Sequence, residues 1–283
     1  MDKTKIGPPP PSTFDIAPTP DEVAFFQKNG FLVVERITTD EEIDWLSQIY
    51  DYIFDPANAG LPGGPVDRSG IMVPERKNKL TQAFFPEMQF PEILNSTFRR
   101  NAKRYAAALL AQPEDRLTSW GHMISKYPGG GAACWHQDHA YWEPEFDYCA
   151  LGVWLPMHDV SVEMGAMQFI PGSHRHGLLP HRHEDDPAHN MLIITDDAGV
   201  DLSTAVPCPL KKGGCTFHHS ETLHYTAPNT TDVTRKAFPM EFQLKPVPRK
   251  APETMPWVDQ RRAATGEGRK PPVYVADGTI TPL

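Results

Sequence analysis

Residues 148–157 read YCALGVWLPM, an uncharged apolar run that stops at a proline. A run of this length between turn signals reads as a β-strand. The same texture recurs along the chain after residue 113. WGHMISKY (120–127), AMQFI (166–170), NMLIIT (190–195), GCTFHH (214–219) and RKAFPMEFQL (235–244) all have it. Many short strands at this spacing predict a sandwich or barrel, with a jelly roll among the candidates.

Upstream the pattern is helical. Thr19-Pro20-Asp21-Glu22 supplies an N-cap, a proline at the first helical position and two acids in the first turn. That helix should end at Gly30, with FLVVE (31–35) following as a strand. Thr39 and Glu42 form a capping-box pattern, and Ile43, Leu46, Tyr50 and Ile53 make the apolar stripe of a second helix. A third helix is expected over about 91–112. Between the last two, residues 55–80 are loop-like, with four glycines and the basic residues Arg68, Arg76, Lys77 and Lys79. A loop this long suggests a lid or an anion-docking segment.

The organisation predicted is a single domain over 19–245. It lies between a proline-rich arm (1–18), expected to be poorly ordered, and a basic, proline-rich tail (246–283). The tail is expected to be irregular, wrapping the domain or reaching a second subunit of a homo-oligomer. No internal repeat is found.

In total the chain has 283 residues, enough for one large domain with a substantial core. A net charge of −9 argues against nucleic acid or an anionic membrane as partner. Thirty prolines favour loops and interrupted strands over long helices. The four cysteines form no C-x-x-C pair, so reduced thiols are expected. No apolar leader or spanning segment is present, and a cytoplasmic location follows as the expectation.

His-x-acid pairs occur at His136–Asp138, His183–Asp185 and His219–Glu221. Chance supplies such matches, so context must choose. Side chains at i and i+2 of a strand share a face with Cα atoms about 6.5 Å apart, within reach of one metal ion. His136 and Asp138 follow a glycine-rich turn into the β region. His183–Asp185 lies in LLPHRHEDDPAH, read as a solvated loop. His219–Glu221 has only His224 downstream.

His224 lies 88 residues after His136, within ETLHYTAPNTTDVTRKAF. With a hairpin centred between Asn229 and Thr230, His224 and Arg235 become cross-strand neighbours. Two histidines and one carboxylate on one face suit a non-haem Fe(II) oxygenase. Zinc is not excluded by these ligands, but the arginine favours iron, because its planar fork suits the far carboxylate of 2-oxoglutarate. His218 and His219 are the rivals for third ligand, His218 the first of them. On a continuous strand His218 would lie about 20 Å from His224, so the two could not share one ion.

HQD, GVWLPMHDVSVEMGAMQFIPGSH and TLHYTAPNTTDVTRKAF together resemble the phytanoyl-CoA dioxygenase family over roughly 20–245. The resemblance implies a double-stranded β-helix (jelly-roll) core with flanking helices, an Fe(II) ion and 2-oxoglutarate as co-substrate. By the family's pattern His136, Asp138 and His224 hold the metal and Arg235 the distal carboxylate. Gln137, Trp154, Ser125 and Thr226 match places near the co-substrate, and His174 is read as a structural residue. The implied reaction is hydroxylation of an unactivated C–H of a small organic substrate by dioxygen, with release of succinate and CO2. Asp138 argues against a halogenase, where a small residue replaces it. His139, Tyr141 and Trp142, just past the motif, are expected at the pocket mouth, with Arg76 as a further substrate contact. The alternatives are a cupin-like zinc or manganese hydrolase or isomerase, and a non-catalytic binding module of the same fold.

Overall fold

The computed structural model describes residues 3–58, 64–67, 81–184, 191–268, 273–276 and 279–282. In chain order its first elements are α1 (Pro20–Asn29), β1 (Phe31–Val34), α2 (Asp40–Ile53), β2 (Val66–Asp67) and β3 (Thr81–Phe84). Next come α3 (Pro86–Gln89), α4 (Thr97–Leu109), β4 (Thr118–Lys126), β5 (Ala133–His136), β6 (Phe146–Asp147) and β7 (Ala150–Pro156). They are followed by β8 (Met167–Phe169), β9 (His181–His183), β10 (Leu192–Ile194), β11 (Val206–Cys208) and β12 (Cys215–His219). The last are β13 (His224–Thr226), β14 (Arg235–Gln243), β15 (Val247–Pro248), α5 (Pro256–Thr265), β16 (Val273–Ala276) and β17 (Thr279–Pro282).

Two antiparallel sheets make the jelly-roll core. The larger runs β1-β12-β7-β14-β4-β3-β2 and the smaller β11-β8-β13-β5. Every residue of β7, the strand inside YCALGVWLPM, is buried. Alternation explains this: Leu151, Val153 and Leu155 join the helices' core, while Trp154 packs with Phe169 and Met167 of the smaller sheet. The apolar stripe of α2 and Phe98 and Tyr105 of α4 cover the outer face of the larger sheet.

The helix starts follow local chemistry. Thr19 and Glu22 exchange both bonds of a capping box, and Gly30 closes α1 at φ 79°. Thr39 accepts from the Glu42 backbone as expected. The Glu42 carboxylate, however, is fully buried and accepts from Thr97 N (2.6 Å) and Phe98 N (2.7 Å), the exposed donors at the start of α4. The helix expected over 91–112 is split: Pro91–Asn95 form a 3-10 turn, and Ser96 adopts an extended N-cap conformation before α4.

The arm departs from expectation, and the tail, which packs on the domain as one of the two expectations had it, is not irregular throughout. The arm is pinned: Trp45 Nε1 donates to Gly7 O at 2.8 Å, Arg104 donates to Ile16 O at 3.1 Å, and Ile6 and Ile16 pack on the core. The tail contains the helix α5 and wraps its own domain. Arg249 pairs with Asp147 (2.8 Å) and Glu253 (2.9 Å), and Trp257 Nε1 donates to Ala140 O (2.8 Å). His181–His183, read as solvated loop, is a strand paired with β10. The tail dries it, for His183 Nε2 lies 2.7 Å from Trp257 O. Asp185 lies outside the described residues. So do Arg68, Arg76, Lys77 and Lys79, and the expected lid with them. None of the four cysteines is joined in a disulfide. Among the described residues no helix is long and apolar enough to cross a membrane.

Candidate metal centre

His136 ends β5 and pairs directly with His224 of β13, the ring centroids 4.2 Å apart. Gln137 is extended (φ −115°, ψ 139°), so Asp138, opening the next 3-10 turn, returns to the face of His136. Asp138 Oδ1 lies 4.0 Å from His136 Nε2 and 3.6 Å from His224 Nε2. One ligand atom from each of these three residues falls within 4.8 Å of the others.

Each imidazole is oriented from behind. His136 Nδ1 sits 2.6 Å from Cys134 O, and His224 Nδ1 sits 2.9 Å from Thr222 O. An Nδ1–H donated to a carbonyl leaves the Nε2 lone pair free, and both lone pairs converge beside Asp138. Burial favours the neutral ring at His224 and outweighs the pull of Asp138, lowering its pKa to about 4. Burial works to raise the Asp138 carboxyl, but the imidazoles of His224, His218 and His136 hold it below the usual carboxylate range. Two neutral nitrogens and one ionised carboxylate, converging on one side, fit a divalent ion that keeps open positions for other ligands.

His218 is beside this cluster, not about 20 Å from it. Its ring centroid is 4.6 Å from that of His224, and its Nε2 lies 2.9 Å from Asp138 Oδ2. The strand is not continuous: β12 stops at His219, a turn follows, and β13 begins at His224 in the other sheet.

The hairpin joining His224 to Arg235 is likewise absent. Asn229 is buried, its Nδ2 donating to Lys126 O (3.0 Å) and Val233 O (2.8 Å) and its Oδ1 accepting from Thr231 N (3.1 Å). This turn carries the chain from β13 in the smaller sheet to β14 in the larger. His224 and Arg235 therefore line the same cavity, of about 350 Å³, from opposite walls.

Arg235 is 1% exposed, donates from Nη1 to Gly165 O at 2.9 Å and finds no partner for its Nε among the described residues. Its guanidinium carbon is 5.3 Å from the Trp154 ring. Burial lowers its pKa to about 10. Among the described residues no carboxylate pairs with it, and a buried guanidinium lacking a counter-ion suits an incoming anion. Thr226, on the same wall as His224, accepts from Lys126 Nζ at 2.7 Å. Its hydroxyl hydrogen is left free to donate into the cavity.

The family model for phytanoyl-CoA dioxygenase matches residues 26–237. The chain belongs to the phytanoyl-CoA dioxygenase family. Phytanoyl-CoA dioxygenase domain-containing protein 1 of Danio rerio is 35% identical over 120 residues. That alignment covers 41% of this chain and 40% of the relative, so the match spans about two-fifths of the relative's length. The crystal structure of EvdO2 from Micromonospora carbonacea var. aurantiaca is 34% identical, with a TM-score of 0.75. It covers 86% of this chain and 99% of that one, and the same protein is also known complexed with 2-oxoglutarate. EctD from S. alaskensis, with 2-oxoglutarate and 5-hydroxyectoine, shares the fold at 19% identity and a TM-score of 0.63, covering 86% and 84% of the two chains.

Of the positions suggested by resemblance to the phytanoyl-CoA dioxygenase family, Trp154 and Thr226 line the cavity. Gln137 does not. It is fully buried, its Nε2 donating to Gly177 O (2.9 Å) and Glu221 O (2.7 Å) and its Oε1 accepting from Leu179 N (2.8 Å). Lying between two cavity-facing residues of an extended segment, it must point the other way. Ser125 is also displaced: β4 turns Trp120, His122 and Ile124 to the cavity and Ser125 to the α2 side. Tyr141 and Trp142 line the cavity as expected. His139 is buried elsewhere, its Nδ1 2.9 Å from Glu221 Oε1 and its Nε2 3.6 Å from Glu253 Oε2 of the tail. Arg76 lies outside the described residues.

Glu241, Trp120 and His122 also face the cavity and were not foreseen. The signal was present in RKAFPMEFQL: counting by two from Arg235 along one strand reaches Glu241 on the same face. Burial and the nearby Asp138 push the Glu241 carboxyl up to about 8, opposed by a hydrogen bond from Trp120.

Proposed function

We propose that this chain is an Fe(II)- and 2-oxoglutarate-dependent oxygenase that hydroxylates an unactivated C–H of a small organic molecule, releasing succinate and CO2. The observation that carries the reading is a buried arginine that no carboxylate among the described residues pairs with, in the cavity that also holds two imidazoles and a carboxylate. His136, Asp138 and His224 would hold the iron. Arg235 would clamp the distal carboxylate of 2-oxoglutarate, with Thr226 donating a further hydrogen bond and Trp154 packing beside it. The bound iron and 2-oxoglutarate supply oxygen activation, which no side chain can perform.

The chain's own part is binding, orientation and exclusion of water. Both imidazoles are locked by backbone carbonyls before any ion arrives, so little ordering remains on binding. The aromatic wall of Trp120, His122, Tyr141 and Trp142 gives the substrate apolar faces. Glu241 adds a carboxyl on that side, which suits a substrate group able to exchange hydrogen bonds with it. Nothing here requires zinc or manganese hydrolysis, and Arg235 would have no use in it.

Anaerobic loading with Fe(II) and 2-oxoglutarate, followed by admission of air with a compound panel, tests the reading. Succinate formation stimulated by one class of compound is expected. A protein that takes up iron but never binds 2-oxoglutarate would overturn it.

A further inference from the structure

His218 is a cavity residue that the proposed triad leaves unused, and its neighbours give it a definite task. Its Nε2 lies 2.9 Å from Asp138 Oδ2, while Oδ1 of the same carboxylate faces the Nε2 atoms of His136 and His224. The ring is 95% buried and its Nδ1 has no partner, so the hydrogen bond to Asp138 is its one polar contact among the described residues. In that contact Nε2–H donates and Oδ2 accepts.

The opposite strand makes room for it. Gly152 of β7 is the cross-strand partner of His218. A Cβ built on Gly152 would lie 2.4 Å from His218 Nε2 and 2.5 Å from its Cε1. Gly152 is not among the glycines with positive φ, so its backbone conformation is open to any residue. A glycine in a central strand weakens the strand unless something must approach it closely. Here that something is the His218 ring. Histidine at 218 and glycine at 152 form one device.

Resting on the proposed metal site, we infer that His218 is a positioning residue: it holds Asp138 Oδ2 so that Oδ1 alone is presented between His136 and His224. A carboxylate free to swing could offer both oxygens to the ion and occupy a second position. Held by one oxygen, it leaves that position to co-substrate or dioxygen. His218 thereby acts on the metal without touching it. A carboxylate with an outer-shell donor is also better ordered before binding.

Cobalt(II) is a suitable probe, since its visible absorption reports the ligand set without turnover. Purified full-length protein would be titrated with cobalt(II) as wild type, His218→Leu, His218→Gln, Gly152→Ala and the Gly152→Ala/His218→Leu pair. His218→Leu should weaken cobalt binding roughly 10- to 100-fold and shift the cobalt bands. His218→Gln, which retains a donor, should recover most of both. Gly152→Ala should reproduce the His218→Leu spectrum and add little in the double variant. Wild-type affinity and spectrum in His218→Leu would overturn the inference, as would fully additive losses in the pair. Should His218→Leu fail to fold, Gly152→Ala and His218→Gln decide alone, with circular dichroism checking their fold. His136→Ala separates the two levels: if it too binds cobalt normally, the metal site itself is wrong. If only His218→Leu binds normally, the positioning role is.

Discussion

Arg235 faces His224 across the gap between two sheets, and no hairpin joins them. Ten residues of sequence separate the two, yet the turn built on Asn229 sends them to opposite walls of one cavity. An ion on one wall and a guanidinium on the other can engage the two ends of one dicarboxylate. A hairpin would have set both at the same end.

Arg235→Lys tests that division of labour. Lysine keeps the charge and loses the planar fork, so about 2–3 kcal/mol of charge-assisted pairing should go, roughly 30- to 150-fold in 2-oxoglutarate affinity. Metal affinity should stay within a few-fold of wild type. Calorimetric titration of the manganese-loaded protein reads the first and metal competition the second.

Alanine at His136, Asp138 or His224 should each abolish stoichiometric iron retention after anaerobic gel filtration. Loss at all three, with partial retention in His218→Ala, is the expected ranking. Equal loss in all four would make His218 a ligand in its own right.

Glu241 should leave a pH signature in the metal-free protein. Burial and Asp138 raise its folded pKa to about 8 from an ordinary value near 4.5. Its stabilising contribution is then fully present below the unfolded pKa and is lost as pH rises through the folded one. Glu241→Gln removes that loss, so the variant should gain on wild type between pH 5 and pH 9 in urea denaturation. A difference in stability that does not change with pH would show that Glu241 titrates normally.

Gln137→Leu should be a stability variant. It removes three hydrogen bonds and leaves Leu179 N, Gly177 O and Glu221 O short of a partner in a buried place. A loss of about 2–4 kcal/mol is expected from unsatisfied buried groups. Affinity for 2-oxoglutarate, measured well below the melting point, should be unchanged. A selective loss of 2-oxoglutarate would put Gln137 back beside the co-substrate.

Local chemistry was legible because it depends on near neighbours in the chain. Thr19 and Gly30 bound α1 by capping, which acts over three or four residues. The apolar run at 148–157 is a fully buried strand, and hydrophobic burial needs only side-chain identity to be read. His136 and Asp138 share a face because Gln137 is extended, and that two-residue period is a property of the backbone itself.

Long-range placement was decided by the fold. The sequence alone determined a core of many short β-strands preceded by helices, and a His-x-Asp pair with a second histidine, His224, downstream. It could not say that the chain breaks after His219 and changes sheet, which brings His218 to 4.6 Å from His224. Nor could it assign Glu42 to cap α4, or the tail to pair Arg249 with Asp147 and Glu253. These contacts join segments far apart in the chain, and their partners are chosen by which surfaces two packed sheets bring together. Strand periodicity specifies the face a residue takes. Only the stacking of one sheet on the other specifies what it meets there.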